Sequence, residues 1–285
     1  MFSIRDKIAL VTGAGSGIGL FYVKEMFRNG LRGATIADID PTKGDQALKE
    51  ITEEFGPNKA IFIKTDVTLQ KEVEEITEEF GPNKAIFIKT DVTLQKEVEA
   101  AFKKTIEVFK NLDIVINNAG ILNDSIFERQ IAVNINGTVY GCLFAWDYLQ
   151  KYRSGTEGVI VNISSVAGLT GFMSIPIYAA TKHAIAGLSK SMGVQQHYDR
   201  TKIRVVTICP GVTETPLITD FLPNYCLPQW EATLNDDFPK WPVQKPDIVA
   251  KSLIQALTTG TNGSFWIVND RNTLYFGIVV NCGTR

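Results

Sequence analysis

Short, fully apolar runs punctuate this chain, and between most of them apolar residues recur at helical spacing. "KIALVTG" (7–13) reads as a strand stopped by a glycine turn, and "GIGLFYVKEMFRNG" (17–30) as a helix closing on Gly30. "GATIADI" (33–39) is a second strand. "PTKGDQALKEITEEFG" (41–56) is a helix opened by Pro41 and closed by Gly56. Further strands are expected at "LDIVINN" (112–118), "GVIVNIS" (158–164), "KIRVVTI" (202–208) and "GSFWIVN" (263–269). Strands that are apolar throughout, rather than alternating, are buried on both faces. With helices between them they predict a doubly wound parallel sheet in three layers, α/β/α. No linker or low-complexity stretch interrupts the pattern, so residues 1–285 read as one domain.

Composition narrows the function. Apolar content of 45% and charged content of 21% suit a soluble globular protein. A net charge of −2 gives no reason to expect nucleic acid or an anionic membrane surface as partner. No apolar run approaches the length of a membrane span, and "MFSIRDKIALVTG" lacks the features of a signal peptide. The scattered Cys142, Cys209, Cys226 and Cys282 suggest neither a disulfide framework nor a zinc site, which fits a cytoplasmic protein. With only His183 and His197, a histidine-rich metal site is not expected.

Two clusters carry chemistry. "VTGAGSGIG" sets Gly13, Gly17 and Gly19 between the first strand and first helix. Glycines let the backbone turn tightly against a pyrophosphate, and the helix N-terminus offers free N–H groups and partial positive charge. Asp38 ends the second strand 19 residues after Gly19, close to the interval at which an acid binds the adenosine ribose hydroxyls. Asp38 would also repel a 2′-phosphate, and neither Ile39 nor Ser16 supplies a compensating cation, so NAD is expected rather than NADP. The second cluster is "YAATK", in which Tyr178 and Lys182 stand at i and i+4 on one helical face. It lies 13 residues beyond Ser165 in "NISS". A phenol has a pKa of about 10 and is a poor base until a nearby cation favours its phenolate. Tyr178 would then take the proton of a substrate hydroxyl, with Ser165 holding the same oxygen. Ser164 shares that loop and stays a rival. His183 is adjacent to Lys182 and faces another way, so it reads as a packing or surface residue.

The chain resembles the short-chain dehydrogenase/reductase family over almost its whole length. The pieces that carry the resemblance are "TGAGSGIG", "NNAG" (117–120), "VNINGT" (133–138), "NISS", "YAATK" and "CPGVTETP" (209–216), in that order. Its look is that of the branch of insect-type alcohol dehydrogenases and 15-hydroxyprostaglandin dehydrogenases. The resemblance implies a Rossmann-like fold and a catalytic set of Ser165, Tyr178, Lys182 and Asn134. It implies a cofactor site along Gly13, Ser16, Gly17, Ile18, Gly19, Asp38, Asp91 and Val92. That site would continue through Asn117, Asn118, Ala119 and Gly120, then Tyr178 and Lys182, to Pro210, Gly211, Val212, Thr213 and Thr215. A homodimer or homotetramer is also implied.

One segment is doubled: residues 50–74 and 75–99 are identical over 25 positions. Each copy is one helix–strand period, and two copies do not make a solenoid. In the family's strand order this unit lies at the sheet edge, where a surplus parallel strand can be added. The helix at 93–110 follows the second copy, which places "AIFIKTDV" (85–92) in the usual slot and Asp91 at the adenine, with Asp66 as the alternative. A substrate lid is expected at about 212–242, lined by Leu217, Phe221, Leu222, Tyr225, Trp230 and Trp241. These residues suit an apolar alcohol. The expectation is hydride transfer from such an alcohol to NAD; carbonyl reduction, or a silent binding protein on the same fold, are the alternatives.

Overall fold

The structure, a computed structural model of the 285-residue chain, describes residues 1–56, 60–62, 85–221, 225–237, 242–269 and 272–276. For residues 60–62, 235, 237 and 272–276 only the backbone is described. The strands are β1 (Ile8–Thr12), β2 (Gly33–Asp38), β3 (Ala60–Phe62), β4 (Ala85–Lys89), β5 (Ile114–Asn117), β6 (Gly158–Ile163), β7 (Ile203–Pro210), β8 (Ser264–Asn269) and β9 (Asn272–Phe276). Among the described residues they form one nine-stranded sheet in the order β3-β4-β2-β1-β5-β6-β7-β8-β9. Every neighbouring pair is parallel except β8 with β9, which is antiparallel. The hydrophobic pattern assigns no element to β9. A hairpin partner needs no crossover helix, so the helical rhythm that frames the other strands is missing there.

The helices that cover the sheet are α1 (Gly17–Arg28), α2 (Pro41–Phe55), α3 (Gln95–Phe109), α4 (Gly137–Tyr152), α5 (Pro176–Met192) and α6 (Pro246–Thr259). Their starts follow local chemistry. Asp40 accepts the N–H groups of Thr42 and Lys43, and Pro41 sets the first helical φ of α2. Alternate strand residues feed two cores. Ala9 and Val11 pack with Val23, Met26, Leu253 and Leu257 of α1 and α6. Ile8 and Leu10 pack with Val98, Phe102, Cys142 and Ala145 of α3 and α4. Each buried aliphatic side chain is worth about 1.5–3 kcal/mol, which is why strands in this sheet are apolar on both faces.

The duplicated segment enters the sheet twice. The strand of the second copy, β4, pairs with β2 from Ala34↔Ala85 to Asp38↔Lys89. The strand of the first copy, β3, pairs outside β4 with each residue opposite its own duplicate: Ala60↔Ala85, Ile61↔Ile86 and Phe62↔Phe87. Asp66 lies outside the described residues. From β1 the chain winds outward through β2 to β3, steps back inward to β4, and then crosses to the other side of β1 at β5. Ligand crevices form at such a reversal, beyond the strands' carboxyl ends. Among the described residues no helix is long and apolar enough to cross a membrane, and no cluster of His, Cys, Asp and Glu could hold a metal ion.

Candidate active site

Beyond β1 the backbone turns through Gly13 and Gly17, both left-handed at φ +63 and +55, a region that side chains resist. Gly19 packs behind this turn rather than lining the crevice. A Cβ on it would strike the Gly13 carbonyl oxygen and lie 2.6 Å from Asn118 Nδ2 and 2.9 Å from Ala14 Cα. Ser16 makes no capping bond to α1, so no side chain of its own claims the first-turn N–H groups. Gly13, Ser16, Gly17 and Ile18 line a crevice of about 1640 Å³, open to solvent. Asp38 reaches it with both carboxylate oxygens engaged: Oδ2 accepts from Gly15 N at 2.8 Å and Oδ1 from Asp40 N at 3.1 Å. Asp91 and Val92 line the same crevice. So does Lys43, a cation the sequence reading does not find; it sits in the first turn of α2, and a Cβ on Gly15 would be 3.1 Å from Lys43 Cβ. The opposite wall is Asn118, Ala119 and Gly120. Asn118 Nδ2 donates to the carbonyls of Thr12 and Gly13 at 2.9 and 3.0 Å, and Thr12 Oγ1 accepts from the backbone of Asn118 and Ala119. Asn117 does not join them. It is buried and donates to Asn162 Oδ1 at 2.9 Å, because an extended strand sends adjacent side chains to opposite faces.

Tyr178 and Lys182 lie on the buried face of α5, only 6% and 4% exposed. Lys182 Nζ donates to the Ile163 carbonyl at 3.1 Å and stands 5.6 Å from the centroid of the Tyr178 ring. Asn134 sits in a π-helical turn, Ala132–Asn136, immediately before α4. Its carboxamide grips the backbone of Ile121 at 2.9 and 3.0 Å and donates to Thr181 Oγ1 at 3.0 Å. A Cβ on Gly120 would lie 3.3 Å from Asn134 Oδ1, a tight contact, and 3.5 Å from Lys182 Nζ, an ordinary one, so both groups approach Gly120 closely. Ser165 Oγ donates to the Pro210 carbonyl at 3.4 Å and accepts from Ala167 N at 3.1 Å, and it stands near enough to the Tyr178 hydroxyl to favour the phenolate. Ser164 Oγ is committed elsewhere, donating to the Lys182 carbonyl at 2.9 Å. Burial drives the phenol of Tyr178 above its ordinary value, opposed by the Ser165 hydroxyl, and lowers Lys182 to about 8. Burial therefore holds the phenol neutral in the chain alone, against the lowering expected from its lysine neighbour.

A second cleft, of about 730 Å³ with the open solvent at its mouth included, has Ser165, Tyr178 and Lys182 in its wall. Pro210, Gly211, Val212, Thr213 and Thr215 border it from the β7 end. Leu122, Val166, Ala167, Phe172, Ile175 and Ile218 make the rest largely apolar. Of the expected lid residues, Leu217 lines both clefts and Tyr225 lines the larger one. Phe221 packs in the cluster around Tyr178, and Trp230 lines neither cleft. Leu222 and Trp241 lie outside the described residues. Ile18, Asn118, Gly120, Leu122, Thr215 and Leu217 belong to both clefts, which meet beside Gly120. His183 is exposed and, among the described residues, bonds along its own helix to the Ala179 carbonyl at 2.9 Å. His197 is also exposed and meets the Trp146 ring edge-on, and Cys209 is fully buried in β7.

A family model described as short chain dehydrogenase matches residues 7–82 and 69–225. The chain belongs to the short-chain dehydrogenase family. The two matched stretches overlap only inside the doubled region, as expected where one unit of the family pattern is present twice. Among curated relatives, rat 15-hydroxyprostaglandin dehydrogenase [NAD(+)] is 32% identical over 75% of this chain and 71% of its own length. Alcohol dehydrogenase 1 of Ceratitis cosyra is 32% identical over 94% of this chain and 93% of its own. The branch resemblance read from the motifs agrees with both. A solved short-chain dehydrogenase/reductase from Burkholderia phymatum in complex with NAD has a TM-score of 0.71 at 19% identity, covering 94% of this chain and 90% of its own. The 3-ketoacyl-(acyl-carrier-protein) reductase of Brucella melitensis, complexed with NADH, has a TM-score of 0.70 at 24% identity, covering 94% and 98%. These two show that the fold is shared.

Proposed function

We propose that this chain is an NAD-dependent oxidoreductase that oxidises an apolar primary or secondary alcohol, with Tyr178 as general base. The observation that carries the reading is the convergence of Tyr178, Lys182 and Asn134 beside Gly120, where a glycine-turned crevice opens into an apolar cleft. The crevice suits a dinucleotide: its glycines admit no side chain, its helix end is uncapped, and Asp38 is fixed at its rim. Gly13, Ser16, Gly17 and Ile18 would hold the pyrophosphate of NAD, Asp38 the adenosine ribose, and Asp91 and Val92 the adenine side. Asn118, Ala119, Gly120, Pro210, Gly211, Val212, Thr213 and Thr215 would border the rest. Bound there, NAD supplies the hydride acceptor. Ser165 holds the substrate oxygen, and Tyr178 takes the hydroxyl proton as the carbinol C–H bond gives up its hydride. Lys182, with a pKa near 8, stays mostly charged at neutral pH and, with its Nζ 5.6 Å from the Tyr178 ring centroid, stabilises the phenolate. Asn134 acts by fixing the Ile121 backbone next to Gly120. The apolar wall around Phe172 and Ile175 supports an apolar alcohol, as do the alcohols for which the relatives are named.

The reverse reaction has one observation in its favour. Burial keeps the phenol protonated, which is the form a carbonyl reductase uses as acid. Initial rates in both directions decide between them: NADH formation with an alcohol panel, NADH consumption with the matching ketones and aldehydes. Tyr178→Phe should lower kcat by about 10³-fold while NADH still binds. Equal rates for wild type and Tyr178→Phe would reject the base. Assembly as a dimer or tetramer is part of this proposal, supported by Leu143, 58% exposed on α4, and checked by mass in solution.

A further inference from the structure

Asp124 is fully buried, yet it has no lysine or arginine partner among the described residues. A buried carboxylate must be compensated by hydrogen bonds. Its partners are specific. Oδ2 accepts from Ile177 N at 2.8 Å, and Oδ1 accepts from Tyr178 N at 2.8 Å and from Gln130 Nε2 at 2.7 Å. Ile177 and Tyr178 are in the first turn of α5, where N–H groups have no partner within the helix, and α5 has no side-chain cap from its own N-cap residue, Ile175. Asp124 therefore caps the catalytic helix from more than 50 residues upstream, and one of the two N–H groups it holds belongs to the proposed base itself.

The other end of this tether is the crevice wall. Asn118 to Asn123 line the crevice, and Asp124 follows directly. Gln130, also fully buried, joins the two sides: its Oε1 accepts from Asn123 N at 2.5 Å while its Nε2 holds Asp124. At the near end of the same loop Asn134 clamps Ile121. The segment beside Gly120 is thus pinned at Ile121, Asn123 and Asp124, and the last pin is shared with Tyr178.

We infer that Asp124, supported by Gln130, is a positioning residue. It sets the start of α5, and with it the Tyr178 phenol, in register with the loop that borders the dinucleotide crevice. The inference rests on Tyr178 being the base, and its test has one arm that does not need activity. In that arm, amide hydrogen exchange at Ile177 and Tyr178 is followed by mass spectrometry in wild type and Asp124→Asn. Asparagine keeps one acceptor oxygen but sets an amide NH₂ against a backbone donor. Exchange at these two positions should quicken about tenfold or more, with the β1 and β6 amides unchanged. In the second arm kcat is measured per NADH-binding site, counted by fluorescence titration. A displacement near 1 Å costs about 10²-fold in rate. The expected order is therefore wild type, then Asp124→Asn, then Asp124→Ala, each step lowering kcat about tenfold while the NADH Kd stays within about twofold. Gln130→Met, close in volume, should give a milder fall of the same kind and serves if the Asp124 variants do not fold. Unchanged exchange at Ile177 and Tyr178, or a kcat per site within twofold of wild type, overturns the inference. So does a fall in total activity matched by an equal loss of NADH sites, which is what a merely structural residue would give. A wild type that turns over no alcohol or carbonyl defeats the functional reading instead, and the exchange arm still judges the tether.

Discussion

Gly19 shows how little room the crevice leaves for change at a single residue. Its missing side chain is replaced by the Gly13 carbonyl, Asn118 Nδ2 and Ala14 Cα, two of them backbone groups that cannot swing away. Gly19→Ala should destabilise the fold by about 1–3 kcal/mol through overpacking. It should also weaken NADH binding more than its distance from the crevice surface suggests; denaturant unfolding and NADH titration check both. Asp38 offers a milder case. With Oδ2 on Gly15 N and Oδ1 on Asp40 N, Asp38→Asn loses one acceptor and the charge that would oppose a 2′-phosphate. NADH should bind about tenfold more weakly, since a hydrogen bond to a charged group is worth about 1.5–3 kcal/mol. The preference over NADPH should narrow further because Lys43 lines the same rim. Tyr178, Lys182 and the glycine turn are readable in sequence because each rests on local spacing. Asp124, Phe172 and Lys43 are not. A cap bridging 54 residues, an apolar wall from the β6–α5 loop and a cation one helical turn beyond Asp38 acquire meaning only when the chain closes on itself.

At the scale of elements, the sheet and its helices follow from continuous apolar runs framed by glycines and prolines, and the strand boundaries shift by only a residue or two. β9 escapes because it pairs antiparallel with β8 and has no helix to announce it. The π-helical turn at Ala132–Asn136 escapes because an extra residue in a helical turn leaves the hydrophobic rhythm nearly intact. The doubled unit is the sharpest test at this scale. Among the described residues β3 pairs only with β4, so its loss breaks no pairing between β4 and β9. Deleting 50–74 or 75–99 yields the same sequence, because the copies are identical. That shortened chain should fold, keep NADH binding within about threefold, and melt within about 5 °C of the full chain. A folded deletion that no longer binds NADH would show that the surplus unit is needed.

For the molecule as a whole, Lys182 sets a dependence of stability on pH. Its folded value near 8 lies below the value of about 10.4 expected once unfolding returns it to water. Between these limits the unfolded chain holds the proton and the folded chain releases it, so stability rises with pH across the window, and below it the cost of burying the cation is fully present. Tyr178 acts in the opposite direction only above about pH 10, where the unfolded phenol ionises first. Urea unfolding of wild type and Lys182→Met at several pH values from about 7 to 9.5 should show an upward slope in wild type that the variant lacks. Parallel profiles would mean that Lys182 is not the source.

The register of Ala60, Ile61 and Phe62 against their own duplicates also bears on how such a gene can change length. A copying slip here lengthens the protein at a free margin, where the newcomer meets a partner already shaped for it. The same slip across Ile114–Asn117 would wedge a strand between β1 and β6 and force apart the two halves that frame the cleft holding Tyr178. Tolerance of whole-unit growth is thus expected to follow position within the sheet, greatest at its margin and least at its centre.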